Sequence, residues 1–249
     1  MPDTSSGPQY GVRRLDYKWA DIKMNITTPI EAQFRIGACA KEPWTVAFIE
    51  QIPADGWFID VGANTGPYTL VAASRGIHTV AIEPGYETFR SLCHNLTLNG
   101  WLDRAIPMCL GLSNKTGFDW LHYSDMRSGA NDHVVGGTQK IGFHSQVIPV
   151  MRLDDLAGML QVNEAPLYIK IDVDGSERAV LEGAERLLAT DQVKGMIVEF
   201  DRKSAETLVP WLAERGWAIT ARYEEGDRFK DMFYALLEKV GAPALVAAI

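Results

Sequence analysis

The segment Trp57-Phe58-Ile59-Asp60-Val61-Gly62-Ala63-Asn64-Thr65-Gly66-Pro67 constrains the fold more than any other part of the chain. A short apolar run, Trp57 to Ile59, reads as a buried strand, and the glycines behind it read as a tight loop. Pro67 suits the first position of a helix, where its missing N–H leaves nothing unsatisfied. Tyr68 to Ser74 continue that helix and Gly76 closes it. Strand, glycine loop and helix in this order open a βαβ unit.

The alternation then repeats. Thr79 to Ile82 form a second strand ending at Glu83-Pro84, and Phe89, Leu92, Cys93 and Leu96 mark one apolar helix face that stops at Asn99-Gly100. Ile106 to Leu110 read as a third strand with Gly111-Leu112-Ser113-Asn114 as its exit loop. Leu167 to Ile171 form a fourth strand leaving through Asp172-Val173-Asp174-Gly175, followed by a helix carrying Leu181, Ala184, Leu187 and Leu188. Met196 to Glu199 form a fifth strand, and Leu208, Trp211 and Leu212 a further helix. Trp217 to Ala221 and Met232 to Leu237 have only the polar turn Glu224-Glu225-Gly226-Asp227 between them, so they pair as a hairpin. The expectation is an α/β, doubly wound, mostly parallel seven-stranded sheet of Rossmann-like type with an antiparallel last strand. It occupies residues 56–240, after a disordered tail at 1–10 and a helical cap at 11–55. Residues 115–150, rich in Gly, Ser, Asn and His, read as an inserted hairpin or flap.

Composition narrows the function. Lys and Arg number 24 against 32 Asp and Glu, a formal charge of −8 that repels a phosphate backbone and argues against nucleic acid as partner. Cys39, Cys93 and Cys109 form no C-x-x-C pair, which speaks against zinc or a disulfide framework and for buried, reduced thiols in the cytoplasm. The first residues lack the basic and apolar blocks of a signal peptide, and no window approaches the ~20 apolar residues of a membrane span, so no membrane partner is expected. The apolar C-terminal stretch from Ala242 to Ile249 packs on the body or on a partner chain, which leaves a homodimer open.

In an open α/β sheet, ligands bind beyond the carboxyl ends of the strands at the switch point. The loop there reads G-x-N-x-G, from Gly62 through Asn64 and Thr65 to Gly66. It lacks the middle glycine of the dinucleotide fingerprint, and Asn64 would crowd a pyrophosphate. Asp60 at the strand end repels a second anion and attracts an ammonium or sulfonium, both of which S-adenosylmethionine carries. Glu83, followed by Pro84, lies about 20 residues on, where a carboxylate accepts hydrogen bonds from ribose hydroxyls; alone it would read as a solvated loop acid. Leu112-Ser113 is placed to border an adenine ring, or simply to pack. Asp172 is placed to hold the donor's amine, orient a substrate hydroxyl or act as general base, and Glu199 stands at the neighbouring strand end. With Asp201 on the same side, the three carboxylates would suit magnesium; acidic strand ends are common in solvated clefts, so no metal is expected. His122, His133 and His144 offer a general base or, more simply, surface and structural roles. Trp19, Trp44 and Trp120 would suit an acceptor site or the core.

Several blocks resemble the FkbM-type methyltransferases, within the class I S-adenosylmethionine-dependent fold. They are Phe58 to Leu70; Ala81-Ile82-Glu83-Pro84 with Phe89 and Asn95; Leu112-Ser113-Asn114 with Gly117; Leu153-Asp154-Asp155-Leu156; Ile169 to Glu177; Val180-Leu181 with Gly183-Ala184; and the strand ending at Glu199. The family more often has Glu-Gly-Ala-Glu where this chain has Asp174-Gly175-Ser176-Glu177, a departure that keeps the charges. The resemblance implies S-adenosylmethionine in the pocket of Asp60, Gly62, Gly66 and Glu83. It also implies O-methylation of a hydroxyl on a sugar, polyketide or other small secondary metabolite, with the insertion as substrate lid. The alternatives are a non-catalytic S-adenosylmethionine-binding relative, and a nucleic-acid or protein methyltransferase.

Overall fold

The computed structural model describes residues 10–130, 133–137, 144–160, 162, 165–224 and 231–242. The expected tail, most of the 224–227 turn and the apolar C-terminus lie outside the described residues. The main sheet holds β3 (Trp57–Val61), β4 (His78–Ile82), β5 (Ala105–Met108), β10 (Leu167–Ile171), β11 (Val193–Asp201), β12 (Trp217–Tyr223) and β13 (Met232–Lys239). Their order is β12-β13-β11-β10-β3-β4-β5. Only β13 runs antiparallel, and it sits between β11 and β12, so the last strand in sequence is not at the edge. β10 is buried at all five positions, as a central strand covered on both faces must be.

The chain leaves β3 toward β4 on one side and returns to β10 on the other, so the winding reverses between β3 and β10. On one face α4 (Pro67–Ser74), buried almost throughout, packs with α5 (Tyr86–Asn99). On the other lie α6 (Leu153–Leu160), α7 (Glu177–Gly183), α8 (Glu185–Ala189) and α9 (Arg202–Ala213).

Two expectations are corrected. Residues 11–55 are not purely helical: β1 (Gly11–Arg14) and β2 (Lys23–Ile26) form an antiparallel hairpin before α1 (Pro29–Phe34), α2 (Ala38–Lys41) and α3 (Pro43–Glu50). Ile22, Met24 and Ile26 point inward while Lys23 is exposed, a period of two that marks a strand. The insertion is more than a hairpin. β7 (Gly117–Tyr123), β8 (Val134–Val135) and β9 (His144–Met151) join β6 (Gly111–Leu112) in a four-stranded sheet of order β6-β9-β7-β8. The third strand, expected to reach Leu110, ends at Met108, and Gly111–Leu112, expected as its exit loop, form β6 of this second sheet.

Candidate active site

A cleft of about 280 Å³ opens beyond the carboxyl ends of β3, β4, β10 and β11, where the winding reverses. Its floor is the loop after β3. Gly62, Asn64 and Gly66 all have positive φ, at 78°, 51° and 91°. A Cβ on Gly62 would stand 1.9 Å from the Asp172 carbonyl oxygen, so only glycine lets the two strand exits meet. Asn64 tolerates the left-handed region better than most residues. Its backbone N–H donates to Glu83 Oε2 at 3.0 Å, and its side-chain Nδ2 donates to the Ala130 carbonyl at 3.0 Å.

Glu83 stands at one end of the cleft, buried, with Oε1 accepting from the Gly85 N–H at 2.8 Å. His133, from the insertion, places Nδ1 3.6 Å from the same oxygen, and its backbone N–H donates to Asp174. Burial opposes the imidazolium, but Glu83, the Asp125 carbonyl and Asp174 outweigh it, and the His133 pKa lies above the ordinary value. Ile82, Leu110, Leu112 and Val135 add an apolar wall.

The far end holds a cluster of charges. Lys170 is fully buried, with Nζ 2.8 Å from Asp172 Oδ2, 3.7 Å from Asp60 Oδ1 and 5.2 Å above the Tyr68 ring. Burial opposes its charge, but Asp172, Asp60 and Glu42 hold its proton firmly. Burial would also raise Asp172; Lys170 and a hydrogen bond with Glu199 reverse this, and Asp172 stays ionised. Glu199 takes the opposite course. Burial, the Asp172 charge beside it, their shared hydrogen bond and Glu42 push it up to about 10, so the pair carries one proton. Glu42 is raised by burial and by Asp172.

The structure brings Gly62, Asn64, Glu83, Pro84, Leu112, Asp172 and Glu199 to the cleft wall. It does not bring the other expected residues there. Asp60 lies behind the floor, accepting from Thr69 Oγ1 at 2.6 Å and facing Lys170, so its charge is answered from within the protein. Thr65 is buried, and its carbonyl accepts from Asn95. Gly66 starts α4 against Leu92, and Ser113 packs at Gly183, where a Cβ would meet its carbonyl at 2.1 Å. Asp201 turns away to cap α9, accepting from the Lys203 and Ser204 N–H groups at 2.9 and 3.1 Å. The three-carboxylate cation site is therefore not assembled. Among the described residues no group of three or more His, Cys, Asp or Glu is arranged to hold a metal.

Of the histidines, only His133 reaches the cleft; His122 bonds Ser145 and His144 is exposed. Trp44 stacks on Tyr223, while Trp19 and Trp120 are exposed and do not line the cleft. Only Cys39 is buried, against the expectation for all three thiols; Cys93 is half-buried and Cys109 exposed. Among the described residues no helix is long and apolar enough to cross a membrane.

The sequence reading missed Lys170, Glu42, Tyr68, Tyr234 and the cap residues Phe34, Arg35 and Lys41, all of which line the cleft. Lys170 had a signal. A lysine at the centre of an apolar strand must be paired where it lands, because an unpaired buried ammonium is too costly.

Residues 60–218 match the methyltransferase FkbM domain. The chain belongs to this family. No match is found among curated proteins. Among solved structures, the chain is similar to the yhhF protein of Escherichia coli, to which a methyltransferase activity has been ascribed. The identity is 14%, the TM-score 0.50, and the match covers 93% of this chain and 99% of that one. It is also similar to the M. jannaschii tRNA m1G37 methyltransferase, at 8% identity and a TM-score of 0.51, over 94% of this chain and 58% of that one. At these identities the likeness is one of fold.

Proposed function

We propose that this FkbM-family chain transfers a methyl group from S-adenosylmethionine to a hydroxyl of a small metabolite, a sugar or polyketide being the class that suits it. The observation that carries the reading is the polarity of the cleft. One end offers Glu83 beside an apolar wall, and the other offers a carboxyl pair sharing one proton.

The residues fit the donor. Beyond its two backbone donors Glu83 has a lone pair on Oε2 for one ribose hydroxyl, and one on Oε1 for which a second hydroxyl would compete with His133 Nδ1, 3.6 Å away. Ile82, Leu110, Leu112 and Val135 suit a flat apolar ring. S-adenosylmethionine supplies, when bound, a methyl carbon made electrophilic by a sulfonium.

Asp172 orients the acceptor hydroxyl and takes its proton. Its pKa is depressed, which makes it a weak base, but the oxygen becomes strongly acidic as its new bond to carbon forms, so a weak base suffices. Glu199 keeps its own proton and hydrogen-bonds Asp172, holding the carboxylate in one orientation. The rest of the rate comes from holding the hydroxyl in line in a cleft walled by the cap and the insertion. A cleft of about 280 Å³ with acids at one end, in a chain of net charge −8, suits a small neutral acceptor better than a polynucleotide.

The test is thermal unfolding with S-adenosylhomocysteine, with NAD as control, on wild type and Glu83→Ala. A ligand at ~100 times its dissociation constant adds roughly 2.7 kcal/mol, which for a domain of this size raises the midpoint by about 5–10 °C. The expected result is a shift with S-adenosylhomocysteine alone, reduced in Glu83→Ala. A shift with NAD alone overturns the reading.

A further inference from the structure

The transfer step leaves His133 without a task, yet its ring occupies one side of the carboxylate on which the cleft depends. Its two nitrogens face two acceptors. Nδ1 lies 3.6 Å from Glu83 Oε1, and Nε2 lies 3.3 Å from the Asp125 carbonyl oxygen. A neutral imidazole carries one N–H and answers only one of them, whereas an imidazolium answers both. The ring is packed closely on the chain: a Cβ on Gly85 would stand 2.9 Å from its Cε1.

The groups around the ring favour its charged form. Asp174, at the exit of β10, accepts from the His133 backbone N–H at 3.2 Å. The Asp125 carboxylate is taken by Arg127 at 2.9 Å, and Glu87, at the start of α5, pairs with Arg90. The Cys109 thiol near Glu83 is pushed up by burial and by that carboxylate, so it adds no charge. Tyr123 of β7 meets the ring edge-on at 6.1 Å. The ring also has a second place to lie. A cavity of about 150 Å³, lined by Gly85, Tyr86, Tyr123 and Met126, adjoins the cleft, and His133 stands on the wall of both. The backbone on either side is anchored, because Asn64 holds the Ala130 carbonyl and Ser176 Oγ bonds both the N–H and the carbonyl of Val135. The side chain can therefore swing while the chain stays in place.

We propose that His133 is a proton-operated latch on the cleft: protonated, its ring holds Glu83 Oε1 and excludes a ribose hydroxyl from it, and when the donor binds, the ring swings into the second cavity and gives its proton to solvent. This rests on the methyl-donor reading above. Leaving Glu83 removes the charge that keeps the proton in place, so the ring has a lower pKa in the donor-bound chain than in the free one. In the free chain that pKa lies above the ordinary histidine value, which is about 6.5. Above that value, the free chain keeps a proton that the bound chain has lost. Affinity for the donor therefore rises with pH through this range and levels off once His133 is neutral in both states.

Calorimetric titration of the whole chain with S-adenosylhomocysteine between about pH 6 and pH 8, in buffers of different ionisation enthalpy, tests it. Wild type should bind roughly tenfold tighter at the upper end than at the lower, the size expected when a hydrogen bond to a charged group no longer has to be displaced. The buffer dependence should show a proton released on binding. His133→Ala should bind at the acid end as tightly as wild type does at the alkaline end, with a flat pH profile and no proton release. A melting curve checks that this variant folds, and the proton count on wild type decides the matter if it does not. Proton uptake or no proton exchange in wild type, an equal pH slope in wild type and His133→Ala, or weaker binding by His133→Ala throughout overturns the latch while the donor reading stands. Failure of wild type to bind S-adenosylhomocysteine at any pH overturns both.

Discussion

The two ends of the cleft are built by different means. At the Glu83 end, the carboxylate is held by backbone N–H groups of Asn64 and Gly85, which belong to its own loop and to the loop of the preceding strand. The donors that fix the Glu83 carboxylate lie within or directly after one βαβ unit, and His133 and the apolar wall are added from further along the chain. At the far end, Lys170, Asp172 and Glu199, from β10, its exit and β11, hold one another through side chains, with Glu42 of the cap close enough to act on their charges. Backbone donors tolerate changes elsewhere. A buried side-chain network fails when one member leaves, because its partner stays charged and dry. The first end is therefore set by local chain geometry, and the second by the completed fold.

The contrast predicts its largest effect at Lys170. Lys170→Met keeps the length and removes the charge, leaving Asp172 and Asp60 without their cation. Breaking a buried pair from one side costs about 3–5 kcal/mol. Urea denaturation measures this, and the deficit should shrink as the pH falls, since protonating the stranded carboxyls removes the penalty. A loss under ~1 kcal/mol, typical of an exposed ion pair, would mean that the far end is as solvated as a surface and that the contrast fails.

Glu199 gives a smaller, pH-dependent effect. In the folded chain its pKa is pushed up to about 10, against about 4.3 for a free glutamate. Between those values the folded state keeps a proton that the unfolded state has released. This group therefore subtracts more stability as the pH rises through that window. Glu199→Gln carries the neutral form throughout. It should match wild type in mild acid and gain on it steadily toward alkaline pH, as read from denaturation midpoints across the range. An unchanged alkaline slope would show that Glu199 is ionised when folded and that the pair shares no proton.

The same contrast explains what could be read in the sequence. The strand, loop and helix after Trp57 were legible because each signal is local, and so was Glu83, which follows its strand directly. Leu167 to Ile171 matches β10 at both ends. Asp154 and Gly183 stood in recognisable blocks, and packing accounts for them. Asp154 accepts from the Leu187 N–H at the start of α8, and Gly183 leaves room for the Ser113 carbonyl. The partners of Lys170 were not legible. Nothing local says that Glu42 would meet Asp172, or that β13 would insert beside β11 and bring Tyr234 to Glu199. The cap hairpin is legible in Ile22, Met24 and Ile26, a period of two that a helical reading of residues 11–55 leaves unused.

The smallest predicted effect separates the far end from its neighbours. Asp201 lies two residues beyond Glu199 on β11, and an alternating strand would aim both side chains into the cleft. Instead Asp201 has φ −74° and ψ 148° at the helix boundary, and its carboxylate accepts from two N–H groups of the first turn of α9. Those donors have no partner within the helix, so satisfying them is the reason for the turn. Asp201→Ala should then cost about 1 kcal/mol of stability. It should leave the affinity for S-adenosylhomocysteine unchanged, with or without added magnesium. Asp201→Asn, which keeps a capping oxygen, should recover most of the loss. If Asp201→Ala instead weakened the ligand while stability held, Asp201 would belong to the cleft, and the far end would reach one residue pair further along β11 than the network of Lys170, Asp172 and Glu199.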